Sequence, residues 1–119
     1  MSDSERILMA HGSGGRMAQD LVSKSFVGAL SNPLLARMDD SAVMPFAGRL
    51  AFTTDSYVVS PMFFPGGDIG RLAVCGTVND LAMCGARPLY LSLAVIIEEG
   101  LPLDDLDRIV ASIRSAADE

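Results

Sequence analysis

Ser41-Ala42-Val43-Met44-Pro45-Phe46-Ala47-Gly48-Arg49-Leu50-Ala51-Phe52-Thr53-Thr54-Asp55-Ser56-Tyr57-Val58-Val59 sets the frame for the rest of the chain. Apolar, aromatic and β-branched residues dominate it, broken once at Ala47-Gly48. That pattern predicts two strands, Ser41–Phe46 and Arg49–Val59, around a tight turn. If Ala47 and Gly48 are the two loop residues, Phe46 faces Arg49, Met44 faces Ala51, Ala42 faces Thr53 and Asp40 faces Asp55. Directly opposed residues have Cβ atoms about 5 Å apart, and like charges there destabilise the pair. Two such carboxylates invite a shared proton or a cation. A hard divalent ion such as Mg²⁺ takes oxygen ligands, and Thr53, Thr54 and Ser56 add hydroxyls nearby. The plainer alternative is that Asp40 ends a strand as a turn residue and Asp55 is solvated.

Downstream, Pro61, Pro65, Gly66 and Gly67 make a loop, and Asp68 is a good N-cap for a helix from Ile69 to about Cys84. Gly85 suits the C′ position and Pro88 prevents continuation. Asn79-Asp80 interrupts the apolar run of this helix, and both are poor mid-helix residues. Either Asp80 is buried beside a partner such as a metal, or the two form the polar stripe of a surface helix. Leu89–Glu98 reads as a strand apolar on both faces, hence central or part of a barrel. After Gly100-Leu101-Pro102, the residues Leu103, Leu106, Ile109, Val110 and Ile113 form one stripe of an amphipathic helix. Upstream, Met17, Leu21, Val22 and Ala29 mark a helix over Arg16–Leu30, capped by Ser13 and stopped at Asn32-Pro33. The order α-β-β-α-β-α predicts an α+β fold, a mixed β-sheet with helices on one face. Three strands make a thin sheet for so much apolar surface, so an edge covered by a partner is expected.

A chain of 119 residues is one domain at most. Nine basic residues stand against fifteen acidic ones, for a net charge of −6. This balance gives no electrostatic case for nucleic acid or an anionic membrane. The longest apolar stretch, Leu89–Ile97, is too short to span a bilayer, which needs about 20 residues. Met1–Ala10 has acidic residues and no apolar signal core. Two cysteines and one histidine exclude a disulfide scaffold and a Cys/His zinc site. Cys75 and Cys84 lie half a helical turn out of phase and read as small core residues. The expectation is a soluble cytoplasmic domain. The loop His11-Gly12-Ser13-Gly14-Gly15 has the chemistry of a phosphate cradle. It lacks both the Walker A and the dinucleotide spacing, so taken alone a plain flexible helix entry is the favoured reading.

Five motifs occur in order: His11-Gly-Ser-Gly-Gly, Asp39-Asp40-Ser41-Ala42, Thr53-Thr54-Asp55-Ser56-Tyr57-Val58-Val59, Pro65-Gly-Gly-Asp-Ile-Gly and Val78-Asn79-Asp80-Leu81-Ala82-Met83-Cys84-Gly85-Ala86-Arg87-Pro88. Together they resemble the N-terminal, PurM-type ATP-binding domain of the HypE family of hydrogenase expression/formation proteins. The resemblance covers nearly the whole chain, and its Pro65–Pro88 part is the most specific. The wider superfamily holds aminoimidazole and formylglycinamidine ribonucleotide synthetases, selenophosphate synthetase and thiamine-monophosphate kinase, which form the alternative reading.

The resemblance implies Mg²⁺–ATP as cofactor and a homodimer whose N-terminal strands complete a β-barrel. It also implies ATP-dependent dehydration of a cysteine-bound thiocarboxamide to a thiocyanate, the source of the cyanide ligands of [NiFe]-hydrogenase iron. The implied partners are a HypF-type carbamoyltransferase and a HypC–HypD scaffold complex, with no nucleic acid and no membrane. Carried over by position, Asp40, Asp55 and Asp80 become metal–phosphate carboxylates. Thr53, Thr54 and Asn79 stand beside them, and His11, Gly12, Ser13, Gly14 and Gly15 form a nucleotide segment. The family's C-terminal domain, its terminal cysteine and a Gly-Asp-Thr-Lys loop have no counterpart in 1–119. On that ground the chain is expected to be a truncated N-terminal domain, inactive alone and without catalytic residues of its own.

Overall fold

A computed structural model describes residues 5–119. The reading of Met1–Ala10 as lacking an apolar signal core therefore falls partly outside the described residues. Two helices, α2 (Ile69–Met83) and α3 (Leu103–Asp118), form the frame. Both ends of α2 follow from local sequence. At its start Asp68 accepts from the Arg71 N–H at 2.9 Å, satisfying one orphan donor of the first turn. Its end is a Schellman closure. Ala86 N–H reaches Leu81 O at 3.0 Å, Gly85 N–H reaches Ala82 O at 2.9 Å, and Gly85 sits at φ +69°.

The stripe read from the last helix is the face that α3 buries: Leu106, Ile109, Val110 and Ile113. Ile109 and Ile113 pack with Val74 of α2, close enough that a Cβ at Gly70 would stand 2.6 Å from the Ile109 carbonyl oxygen. Asp68, the one buried charged residue among those described, also accepts from the Ser112 hydroxyl of α3 at 2.5 Å. One carboxylate thus caps α2 and ties it to its neighbour. At the far end of α3, Glu119 accepts two hydrogen bonds from Arg71 at 2.7 and 3.0 Å. That pairing holds the Glu119 carboxyl below its ordinary value and the Arg71 guanidinium above its own.

On the other side of α3, Ile7 packs against Leu106 and Val110. Backbone bonds from Ile7 N–H to Leu101 O and from Gly100 N–H to Ile7 O, both 2.8 Å, hold it there. Helix α1 (Arg16–Leu21) runs into a π-helical stretch, Val22–Val27, and bonds continue to Leu30, so the helix expected over Arg16–Leu30 is present with a widened second half. The Ser13 cap is not made. Gly14 at φ +77° turns the chain, Ser13 Oγ donates to Ala10 O at 2.8 Å, and Gly15 takes the N-cap place without a side-chain bond.

The strands depart from expectation. The only ladder among the described residues joins β1 (Phe63–Phe64) to β2 (Gly67–Asp68) across Pro65-Gly66, a stretch read from sequence as loop. Proline followed by glycine at φ +91° is the residue pair that a type II turn requires. The hairpin over Ser41–Phe46 and Arg49–Val59 is extended but unpaired, as is Leu89–Glu98. No backbone–backbone hydrogen bond is made by residues 39–61 or 87–97 among those described. Pro45 has no N–H to give a ladder next to the turn, and an isolated two-stranded hairpin is marginal in water. No helix is long and apolar enough to cross a membrane.

Candidate functional site

Along residues 53–59, Thr53, Tyr57 and Val59 are half-buried, while Thr54, Asp55, Ser56 and Val58 are exposed. Thr53 shares a cleft with Thr77 of α2, and Tyr57 reaches the same residue. Tyr57 is the firmest contact. A Cβ at Gly76 would stand 2.8 and 2.9 Å from two carbons of its ring, so only glycine admits the ring onto α2 there. The Tyr57 hydroxyl lies 3.4 Å from Thr77 Oγ1.

Beside this contact opens a cleft of about 110 Å³ between residues 51–55, Thr77 and Leu81 of α2, and residues 90–92. Thr53, Thr54, Thr77 and Ser92 bring hydroxyls to it and Asp55 a carboxylate. Asp55 Oδ1 accepts the N–H of Ser56 at 2.7 Å, which leaves Oδ2 available. The donor set is all oxygen, the set that suits Mg²⁺ or a hydrated phosphate. The cleft has room for such a group rather than for a whole nucleotide, since drug-sized ligands occupy roughly 300–1,000 Å³.

His11, Gly12 and Ser13 line a different cleft of about 570 Å³, with Ile7, Leu8, Leu21, Val95, Ile97 and Glu99. His11 Nδ1 accepts from the Leu8 N–H at 2.8 Å, so this histidine serves its own turn. Gly12 and Gly14 have open space where a side chain would sit. Open backbone of this kind fits an anion.

The predicted acidic constellation is only partly brought together. Asp55 lines the first cleft with Thr53 and Thr54, whereas Asp40, Asn79 and Asp80 are exposed and line neither cleft. The ladder that would set the Asp40–Asp55 register is absent among the described residues. Asp80 is not buried; it lies with Asn79 on the solvent side of α2, the polar-stripe alternative. No group of three acidic, cysteine or histidine side chains among the described residues could hold a metal ion. Cys75 and Cys84, read as core, are both exposed free thiols. Tyr57, Thr77 and Tyr90 were not singled out from sequence. The signal for the first two was Gly76, a poor helix former in mid-helix that marks close approach of another group.

Residues 38–119 match the family described as AIR synthase related protein, N-terminal domain. The chain is 54% identical over 118 residues to carbamoyl dehydratase HypE of Cupriavidus necator, covering 98% of this chain and 34% of that protein. To HypE of Escherichia coli it is 50% identical over 117 residues, covering 93% and 35%. A crystal structure of hydrogenase maturation protein HypE in complex with ATP superposes with a TM-score of 0.91 at 54% identity, over 94% of this chain and 33% of that one. The chain thus spans about a third of the length of these relatives, and the resemblance drawn from its five motifs is borne out. On the match over residues 38–119 and this superposition, the chain belongs to the AIR synthase related protein N-terminal domain family, in its PurM-like fold.

Proposed function

We propose that this chain is the nucleotide-binding, N-terminal part of a HypE-type [NiFe]-hydrogenase maturation enzyme. In this reading the whole protein is an ATP-dependent carbamoyl dehydratase. It converts a cysteine-bound thiocarboxamide to the thiocyanate that supplies cyanide ligands to the iron. The observation that carries the proposal is 54% identity with a TM-score of 0.91 to a HypE that binds ATP. Dehydration needs the amide-type oxygen turned into a leaving group, and ATP supplies the phosphoryl group that does so.

Within this chain, Asp55 Oδ2, Thr53 and Thr54 hold the metal–phosphate end. Asp40 and Asp80, with Asn79, complete the Mg²⁺ shell. The open amides of the His11–Gly15 loop take the remainder of the nucleotide. Residues 39–61 and 87–97 offer unpaired backbone and exposed Val43, Phe52, Val58 and Ile96. Pairing with the same segments of a second copy would close a β-barrel and make a homodimer. A HypF-type carbamoyltransferase and a HypC–HypD complex are the partners of the whole protein, in the cytoplasm.

The test is calorimetric titration of ATP, with Mg²⁺ and with chelator, into the protein and its Asp55→Asn variant. The protein should bind Mg²⁺–ATP, and Asp55→Asn should weaken that binding by about tenfold, the scale of one charged contact. Equal affinities would remove Asp55 from the metal shell. No binding by the parent would end the nucleotide reading.

A further inference from the structure

We infer that Tyr57, seated on Gly76, is a positioning residue that sets the register between the segment bearing Asp55 and the helix bearing Asp80. The inference rests on the nucleotide reading above and adds the device that aligns its two acidic elements. Residues 39–61 make no backbone–backbone hydrogen bond among those described, so no ladder fixes their height along α2. Side chains must do so, and the Tyr57 ring over Gly76 is one such contact, with the hydroxyl at Thr77.

From that point the cleft runs back along the extended segment to Asp55 and Thr53 and forward along α2 to Leu81. Asp55 lies two residues before Tyr57, about 6.6 Å away along an extended segment. Asp80 lies four residues after Gly76, about 6 Å along the axis. Both elements that meet at Tyr57 thus line the one cleft. A slip of one residue at Tyr57 would turn Asp55 to the opposite face of its segment.

Gly76→Ala separates positioning from folding. Alanine is the better helix former, so α2 itself gains, while the new Cβ occupies the place of the ring. We expect Gly76→Ala to bind Mg²⁺–ATP about tenfold more weakly, to bind ATP in chelator as the parent does, and to melt no lower than the parent. Tyr57→Ala, which leaves α2 untouched, should show the same selective loss of Mg²⁺-coupled affinity. Tyr57→Phe should stay within about twofold of the parent, because the hydroxyl contact at 3.4 Å is long for a hydrogen bond. Parent-like Mg²⁺–ATP affinity in Gly76→Ala or in Tyr57→Ala overturns the inference, and so does a loss that is equal with and without Mg²⁺. In those cases an Asp55→Asn defect would leave the nucleotide reading standing. Absence of Mg²⁺-dependent binding in the parent overturns both.

Discussion

The packed pair α2 and α3 and the extended segment 39–61 both carry many apolar side chains, yet they treat them in opposite ways. Leu106, Ile109, Val110 and Ile113 are buried between neighbours. Val43, Phe52 and Val58 are left largely in water. Backbone hydrogen bonding accounts for the difference. A helix satisfies its own amides and needs a neighbour only for its apolar stripe, which a second helix of the same chain provides. An extended segment satisfies its amides only through another strand. With no ladder, its apolar faces stay open, and exposed apolar surface of this extent marks an interaction surface. The site lies on the seam between the two regions: Asp55 comes from the open one and Thr77 from the closed one.

Three substitutions test that contrast. The largest effect belongs to the closed region. Leu106→Ala empties a nearly fully buried position between Ile7 and Val110, so stability should fall by about 2–5 kcal/mol. Urea unfolding measures it, and a loss under 1 kcal/mol would mean that this core is not tightly packed. Next is Asp68→Ala, which removes the α2 cap and leaves the Ser112 hydroxyl without its acceptor. A cost of about 1–2 kcal/mol is expected. Asp68→Asn, which keeps an acceptor oxygen, should recover part of it, and failure to do so would make charge rather than hydrogen bonding the cause.

The smallest effect on folding belongs to the open region. Ile96 is fully exposed, so Ile96→Ser should change monomer stability by no more than about 0.5 kcal/mol. The same change should weaken self-association by about tenfold or more, because burying an isoleucine contributes about 1.5–3 kcal/mol. Sedimentation at a series of concentrations reads both species. An unchanged association constant, or no association by the parent, would count against the proposed homodimer surface.

What could be read along the chain was whatever neighbouring residues settle among themselves. Asp68 starts α2 and Gly85 ends it because an N-cap and a left-handed C′ residue act within a few positions. The α3 stripe is legible because helical period places its apolar residues on one side. The Thr53-Thr54-Asp55 grouping was equally visible, since three adjacent residues of one extended segment stay near one cleft wherever that segment goes. Pairing was not visible. The expected Asp40–Asp55 register depended on a ladder between residues that only distant contacts can hold together, and Pro45 removes one of its donors. Whether Asn79 and Asp80 faced the interior or water depended on which side of α2 its neighbours took. Gly70 and Gly76 are part of that outcome: each lacks the side chain that would keep α3 or Tyr57 away from the helix. Helix ends are determined locally because their hydrogen bonds are short-range. Strand partners and helix faces are settled only in three dimensions, where burial of one surface depends on what another part of the chain, or a second chain, brings to it.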